Sequence, residues 1–117
     1  LEDAERLIFQ ASLELEKADT DTAARTAFTA MLKAADALLS TSGLLLSDNY
    51  DTPAKFDELW VQTGRFVPSV GEYFAKAVAE GDGPVAPERA RHRVEEANLF
   101  VAHAQETYGR LAGAQVK

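Results

Sequence analysis

The stretch "AARTAFTAMLKAADALLSTSG", Ala23 to Gly43, decides the fold class. Ala24, Ala27, Met31, Ala35 and Leu38 recur at the three- and four-residue spacings that place side chains on one face of an α-helix, with Phe28, Leu32 and Leu39 flanking them. A face this broad belongs to a helix with neighbours on more than one side, and its alanines let those neighbours approach closely. The spacing predicts a central helix over about 23–42, stopped by Gly43 at the position after its C-cap.

The same period recurs on both sides of it. Over about 2–17, Ala4, Leu7, Ile8, Ala11 and Leu15 form one apolar stripe. "DTDT" then offers Asp19, Thr20 and Asp21 as N-caps for the central helix. After the connection "LLLSDNYDTP", Thr52–Pro53 predicts the cap and start of a third helix whose bulk is Phe56, Leu59, Trp60 and Phe66. Gly64 and Pro68 break it, and a shorter helix is expected over about 70–80. The Gly- and Pro-rich "GDGPVAP" leads to Pro87 and a last helix to about Leu111, with Val94, Ala97, Val101, Ala104, Tyr108 and Leu111 as its core stripe. No segment alternates with a strand's period of two. The expectation is one all-α domain over 1–117, an up-and-down four-helix bundle with an additional short helix.

Composition excludes several kinds of chemistry. There is no cysteine, hence no thiolate nucleophile, thiolate metal site or disulfide, which fits a cytoplasmic protein. No apolar run approaches the roughly 20 residues that span a bilayer, so no membrane insertion is expected. The net charge of −7 lies wholly in residues 1–58, with twelve acidic and five basic groups, while 59–117 balance at seven of each. Such a surface argues against nucleic acid, whose phosphates require clustered lysine and arginine.

The one basic cluster opens the last helix: Arg89, Arg91, His92 and Arg93 stand where the helix dipole disfavours cations. Either neighbouring carboxylates (Glu88, Glu95, Glu96 and the acidic first half) neutralise them, or Arg89 and Arg93, one turn apart, hold an anion or a partner segment with His92 beside them. His92 and Glu96 can share a metal ion, but two donors fall short of the three or four that zinc takes, and His103 lies two turns beyond Glu96. No metal site and no cofactor follows. There is no Gly-x-Ser-x-Gly elbow, and the carboxylate pairs Asp57–Glu58 and Glu95–Glu96 diverge by about 100° on a helix. "GDG" at 81–83 lacks the lysine and preceding strand of a phosphate loop. No catalytic residue is assigned. Trp60, on the bulky face of the third helix, is expected in the core, with a small-molecule platform near Trp60 and Tyr73 as the alternative. On the first helix, Phe9 and Leu13 lie one turn apart opposite the core stripe, which predicts a contact surface, in the simplest case a homodimer in which the helix meets its own copy.

The runs "FDELWVQTGRFVPSVGEYFAKAVAEGDG" (56–83) and "RVEEANLFVAHAQETYGRL" (93–111), with "AFTAMLKAADALLSTSGLLL" (27–46), resemble the HEPN superfamily of small helical bundles over about residues 20–112. The resemblance implies a dimerising or scaffolding helical module, or an accessory partner of an enzyme such as a nucleotidyltransferase. Many HEPN ribonucleases carry an arginine a short step before a histidine. Here the arginine preceding His103 is Arg93, ten residues upstream, and Arg89 precedes His92 by only three. The leading expectation is therefore a non-catalytic module. The alternatives are an atypical ribonuclease using Arg93 with His103, or a nucleotide-binding partner of a nucleotidyltransferase.

Overall fold

A computed structural model describes residues 1–44, 49–81 and 83–115, with side chains placed up to Leu111. Among the described residues five helices occur in the order α1 (Glu2–Glu16), α2 (Thr20–Thr41), α3 (Thr52–Phe56, running into a π-helical segment Asp57–Val61), α4 (Pro68–Glu80) and α5 (Pro87–Gln115). Among the described residues there is no strand. The all-α expectation holds.

α2 lies against both α1 and α5, and α5 also touches α1 and α4. This central placement explains why nearly every alanine of α2 is buried: Ala23, Ala24, Ala27, Ala30, Ala34 and Ala35 let two helices close in on one. α5 runs antiparallel to α1, since Glu5 bonds Gln105 while Phe9 and Ser12 lie beside Val94, Glu95 and Asn98. α4 returns along α5 with Glu80 at Arg93 and Phe74 at Phe100.

The stripes predicted on α1 and α2 face inward: Ala4, Ile8 and Ala11 are buried with Leu7 and Leu15 packed beside them, and Met31, Leu38 and Leu39 are fully enclosed. The stripe on α5 needs correction. Val94, Ala97, Val101 and Ala104 are buried, but Tyr108 is exposed, whereas Phe100, Thr107 and Arg93 are buried. α5 is flanked by α1 on one side and α4 on the other, so its buried arc is wider than one stripe and turned toward α4.

The centre of the core is aromatic. Phe56, Phe66, Phe74 and Phe100 stack around one another with ring centroids 5.1–5.9 Å apart, in tilted or edge-on arrangements that suit their quadrupoles. Phe28 of α2 joins through Phe74. Five of the chain's six phenylalanines are thus in one cluster, and the sixth is Phe9.

The helix ends follow local chemistry with some shifts from expectation. At the end of α2, Gly43 takes φ +90 while its N–H and that of Leu44 bond the carbonyls of Ser40 and Leu39, a Schellman closure. α1 ends in the same motif, but the left-handed residue is Ala18, at φ +61. α2 begins at Thr20, earlier than the periodicity suggests. Asp19 is its N-cap without a side-chain bond, because Thr20 and Asp21 serve the chain elsewhere: the Thr20 hydroxyl donates to the Val85 carbonyl and the Asp21 carboxylate accepts from the Val85 N–H. These two bonds tie the α4–α5 connection to the start of α2. At α3 the cap is Asp51, whose carboxylate accepts from the Ala54 N–H at 3.0 Å, and Thr52 instead donates to Asp36 at 2.7 Å.

In the π-helical segment the Gln62 N–H reaches back to the Asp57 carbonyl, one residue further than in an α-turn. Phe56 and Trp60 both point into the core from it. α4 crosses the segment so closely at Gly71 that an added Cβ would lie 2.9 Å from a Val61 methyl carbon.

Candidate functional site

Three places merit examination: the basic start of α5, the outer face of α1, and a cleft beside Trp60.

At the first, Arg89 and Arg93 both donate from Nη2 to the same Glu80 oxygen, Oε2, at 2.8 Å. Glu80 is the last residue of α4, so the pair ties the end of one helix to the start of the next. The Arg93 side chain is 7% exposed and that of Arg89 54%. Arg93 is therefore the buried member and Arg89 the solvated one. Burial alone would raise the Glu80 carboxyl, but hydrogen bonds and Coulomb attraction from Arg93 and then Arg89 outweigh it and hold the group below the ordinary carboxylate range. An external anion would have to displace Glu80 to reach these two arginines. Sequence reasoning looked for their counter-charge on α5 and in the acidic first half, and the structure supplies it from α4. His92 stays exposed, with Glu88 and Glu95 each 4.0 Å away. His103 is half-buried, its ring edge-on to Phe66 at 6.5 Å. Arg93 and His103 thus face different neighbours, a carboxylate and an aromatic core. Among the described residues no three histidine, aspartate or glutamate side chains come together as a metal would require. The Gly-Asp turn read at 81–83 centres on Asp82, which lies outside the described residues.

On α1, Phe9 is 67% exposed and Leu13 39%. Among the described residues, Phe9 borders Val94, Glu95 and Asn98 of α5 on one side and is otherwise open to solvent. The two residues continue a line along the helix, Glu2, Arg6, Phe9, Leu13 and Glu16, spaced by four, three, four and three residues. That is the repeat by which one helix meets another along a seam. Arg6 makes only an i,i+3 contact with Asp3 at 3.6 Å, both groups well exposed, a pair of small energetic weight.

The third place escaped sequence reasoning in part. Trp60 is buried, as expected, at 3% exposure, yet its indole Nε1 has no hydrogen-bond partner among the described residues. Leaving such a donor unpaired costs about 1–3 kcal/mol. Trp60 also lines an open cleft of about 690 Å³ with Leu59, Ser42, Arg65, Arg110 and Leu111. The Arg65 guanidinium carbon stands 5.9 Å from the Trp60 ring centroid. Arg65 follows α3 and Arg110 lies near the end of α5, so no local spacing joins them; the one signal was Trp60 itself. Tyr73, named with Trp60 from the sequence, does not line this cleft.

Comparison with known proteins adds no identity: no family model, curated protein or solved structure matches this chain. No helix among the described residues is long and apolar enough to cross a membrane.

Proposed function

We propose that this protein is a non-catalytic helical interaction module of HEPN-like design that dimerises through α1. In this reading α1, α2, α4 and α5 are the four helices of an up-and-down bundle and α3 is the additional short one, whereas the sequence expectation put the shorter helix at 70–80. What supports the HEPN-like part is the run of residues quoted above, together with the long alanine-rich α2, the Gly64 break and the short α4.

One observation carries the functional part. Phe9 alone among the phenylalanines stands outside the core, in line with Leu13 on a helical seam. A second copy is the occupant that fits. Two α1 helices packed antiparallel about a twofold axis level with Ala11 place Phe9 against the partner's Leu13. The same register sets Arg6 opposite the partner's Glu16, so the flanking charges are complementary. Burying the remaining exposed surface of two phenylalanines and two leucines contributes roughly 6 kcal/mol. Association costs on the order of 4–15 kcal/mol. The contact is therefore weak by itself, as suits a module whose full assembly includes further surfaces or a partner enzyme.

Sedimentation velocity over a concentration series tests this. The wild type should approach dimer mass as concentration rises, and Phe9→Asp/Leu13→Asp should remain monomeric with unchanged helicity. A wild type that stays monomeric throughout overturns the proposal.

A further inference from the structure

We infer that the cleft beside Trp60 is a binding site for a small, flat organic anion, a carboxylate, sulfonate or phosphate carried on an aromatic body.

Four observations converge on it. The cleft's volume of about 690 Å³ lies within the range of roughly 300–1,000 Å³ typical of small-molecule sites. Its charge is opposite to that of the protein: the chain carries −7, yet among the described residues the cleft is lined by Arg65 and Arg110 and by no acidic side chain. Neither arginine has a carboxylate partner among the described residues, unlike Arg89 and Arg93, which Glu80 neutralises. Two unneutralised guanidinium groups on one concave surface attract an anion, and their planar forks suit the paired oxygens of a carboxylate or a phosphate. Finally, Trp60 brings a buried N–H donor that no group among the described residues satisfies. An acceptor atom on a bound molecule would satisfy it after a small shift of the indole.

The apolar part of the site selects the ligand's body. Leu59 and Leu111 offer a hydrophobic surface with the buried Trp60 ring at its floor, and Thr41, Ser42 and Thr107 add hydroxyl groups at its edge. The Thr41 and Thr107 hydroxyls already donate to the carbonyls of Leu38 and His103, so toward a ligand they act as acceptors. Inorganic phosphate alone would leave the apolar surface wet, and a neutral hydrocarbon would leave both arginines unused. A ring bearing one anionic group uses both. The π-helical turn that carries Trp60 is the kind of local irregularity often found at functional sites, and here it sets the indole between the core and the cleft.

Trp60 is the only tryptophan, so the emission has a single source, and the arginine variants tie its quenching to this site. The experiment titrates the full chain with anilinonaphthalene sulfonate, an aromatic anion, and with the uncharged N-phenylnaphthylamine, following Trp60 emission. It is repeated on Arg65→Gln, Arg110→Gln and the double variant, whose exposed substitutions should leave the circular dichroism and melting temperature unchanged. The expected result is saturable quenching by the sulfonate, weakened by salt. Affinity should fall about tenfold for each arginine removed, as loss of a charge-assisted contact does. The neutral dye should bind more weakly than the sulfonate and be indifferent to the substitutions. Phenyl phosphate and benzoate should displace the sulfonate, and their order distinguishes a phosphate from a carboxylate ligand. Quenching that never saturates, equal binding of the neutral dye, or undiminished affinity in the double variant overturns the assignment. Because α1 lies outside the cleft, Phe9→Asp/Leu13→Asp should bind as the wild type does, which keeps this test separate from that of dimerisation.

Discussion

Removing Glu80 tests the electrostatic link between α4 and α5, and its magnitude can be worked from exposure. Breaking a buried ion pair by deleting one partner costs about 3–5 kcal/mol, because the other charge is left without compensation. Arg93, 7% exposed, would be that charge, but the Glu80 side chain is 27% exposed. Water that reaches the carboxylate also screens the pair and can enter when it is removed, so the expected loss for Glu80→Ala falls to about 2–3 kcal/mol. Arg89→Ala should cost about 1 kcal/mol or less, since its guanidinium is half in solvent. Urea denaturation of the two variants and of Arg93→Ala supplies the comparison, and a double-mutant cycle between residues 80 and 93 isolates their coupling. The pH dependence gives a second readout. The Glu80 pKa is depressed in the folded state, so its contribution is present above the unfolded carboxyl value and lost as pH falls through the folded one. Wild type should therefore lose more stability than Glu80→Gln as pH drops below the ordinary carboxylate range. Equal losses for Arg89→Ala and Arg93→Ala, or a cost under about 1 kcal/mol for Glu80→Ala, would refute the reasoning.

Three further substitutions probe the backbone and the core. Ala18→Gly should raise stability by about 0.5–1.5 kcal/mol in thermal denaturation, since Ala18 sits at φ +61 where an alanine is strained and glycine is not. Gly71→Ala should lower it by about 1–3 kcal/mol through the clash with Val61, and Val61→Ala in the same chain should recover most of that loss. Trp60→Ala should cost about 3–5 kcal/mol, as truncation of a large buried side chain does; an unchanged melting temperature would place the indole outside the core.

The sequence disclosed the helices more fully than it disclosed what they bring together. Apolar periodicity placed α1, α2 and α5 because each must bury one arc, the Gly64 and Pro68 break placed α4, and Gly43 marked a helix end closed by a left-handed residue. It misjudged α5, where a helix between two neighbours buries Phe100 and Thr107 beside the expected stripe and leaves Tyr108 outside. Capping was ambiguous for a related reason: Thr20, Asp21 and Thr52 have cap chemistry, but partners distant in sequence, Val85 and Asp36, claim their oxygens. The basic cluster was legible as an anomaly at a helix start, while its resolution by Glu80 depends on how α4 returns along α5. Phe9 and Leu13 were legible from α1 alone, because an apolar pair opposite a core stripe is a local fact. The Trp60 cleft was not, since Arg65 and Arg110 meet there only through the fold.

The pairing of α1 with its own copy is tested most directly by charge reversal at the two positions the antiparallel register sets opposite one another. Sedimentation velocity of Arg6→Glu, Glu16→Arg and the double variant, at matched concentrations, reads it out. Each single reversal places like charges across the twofold axis and should shift the protein toward monomer. The double reversal restores opposite charges and should return the mass distribution to that of the wild type. A double variant more dissociated than either single, or three variants indistinguishable from the wild type, would contradict the α1 interface.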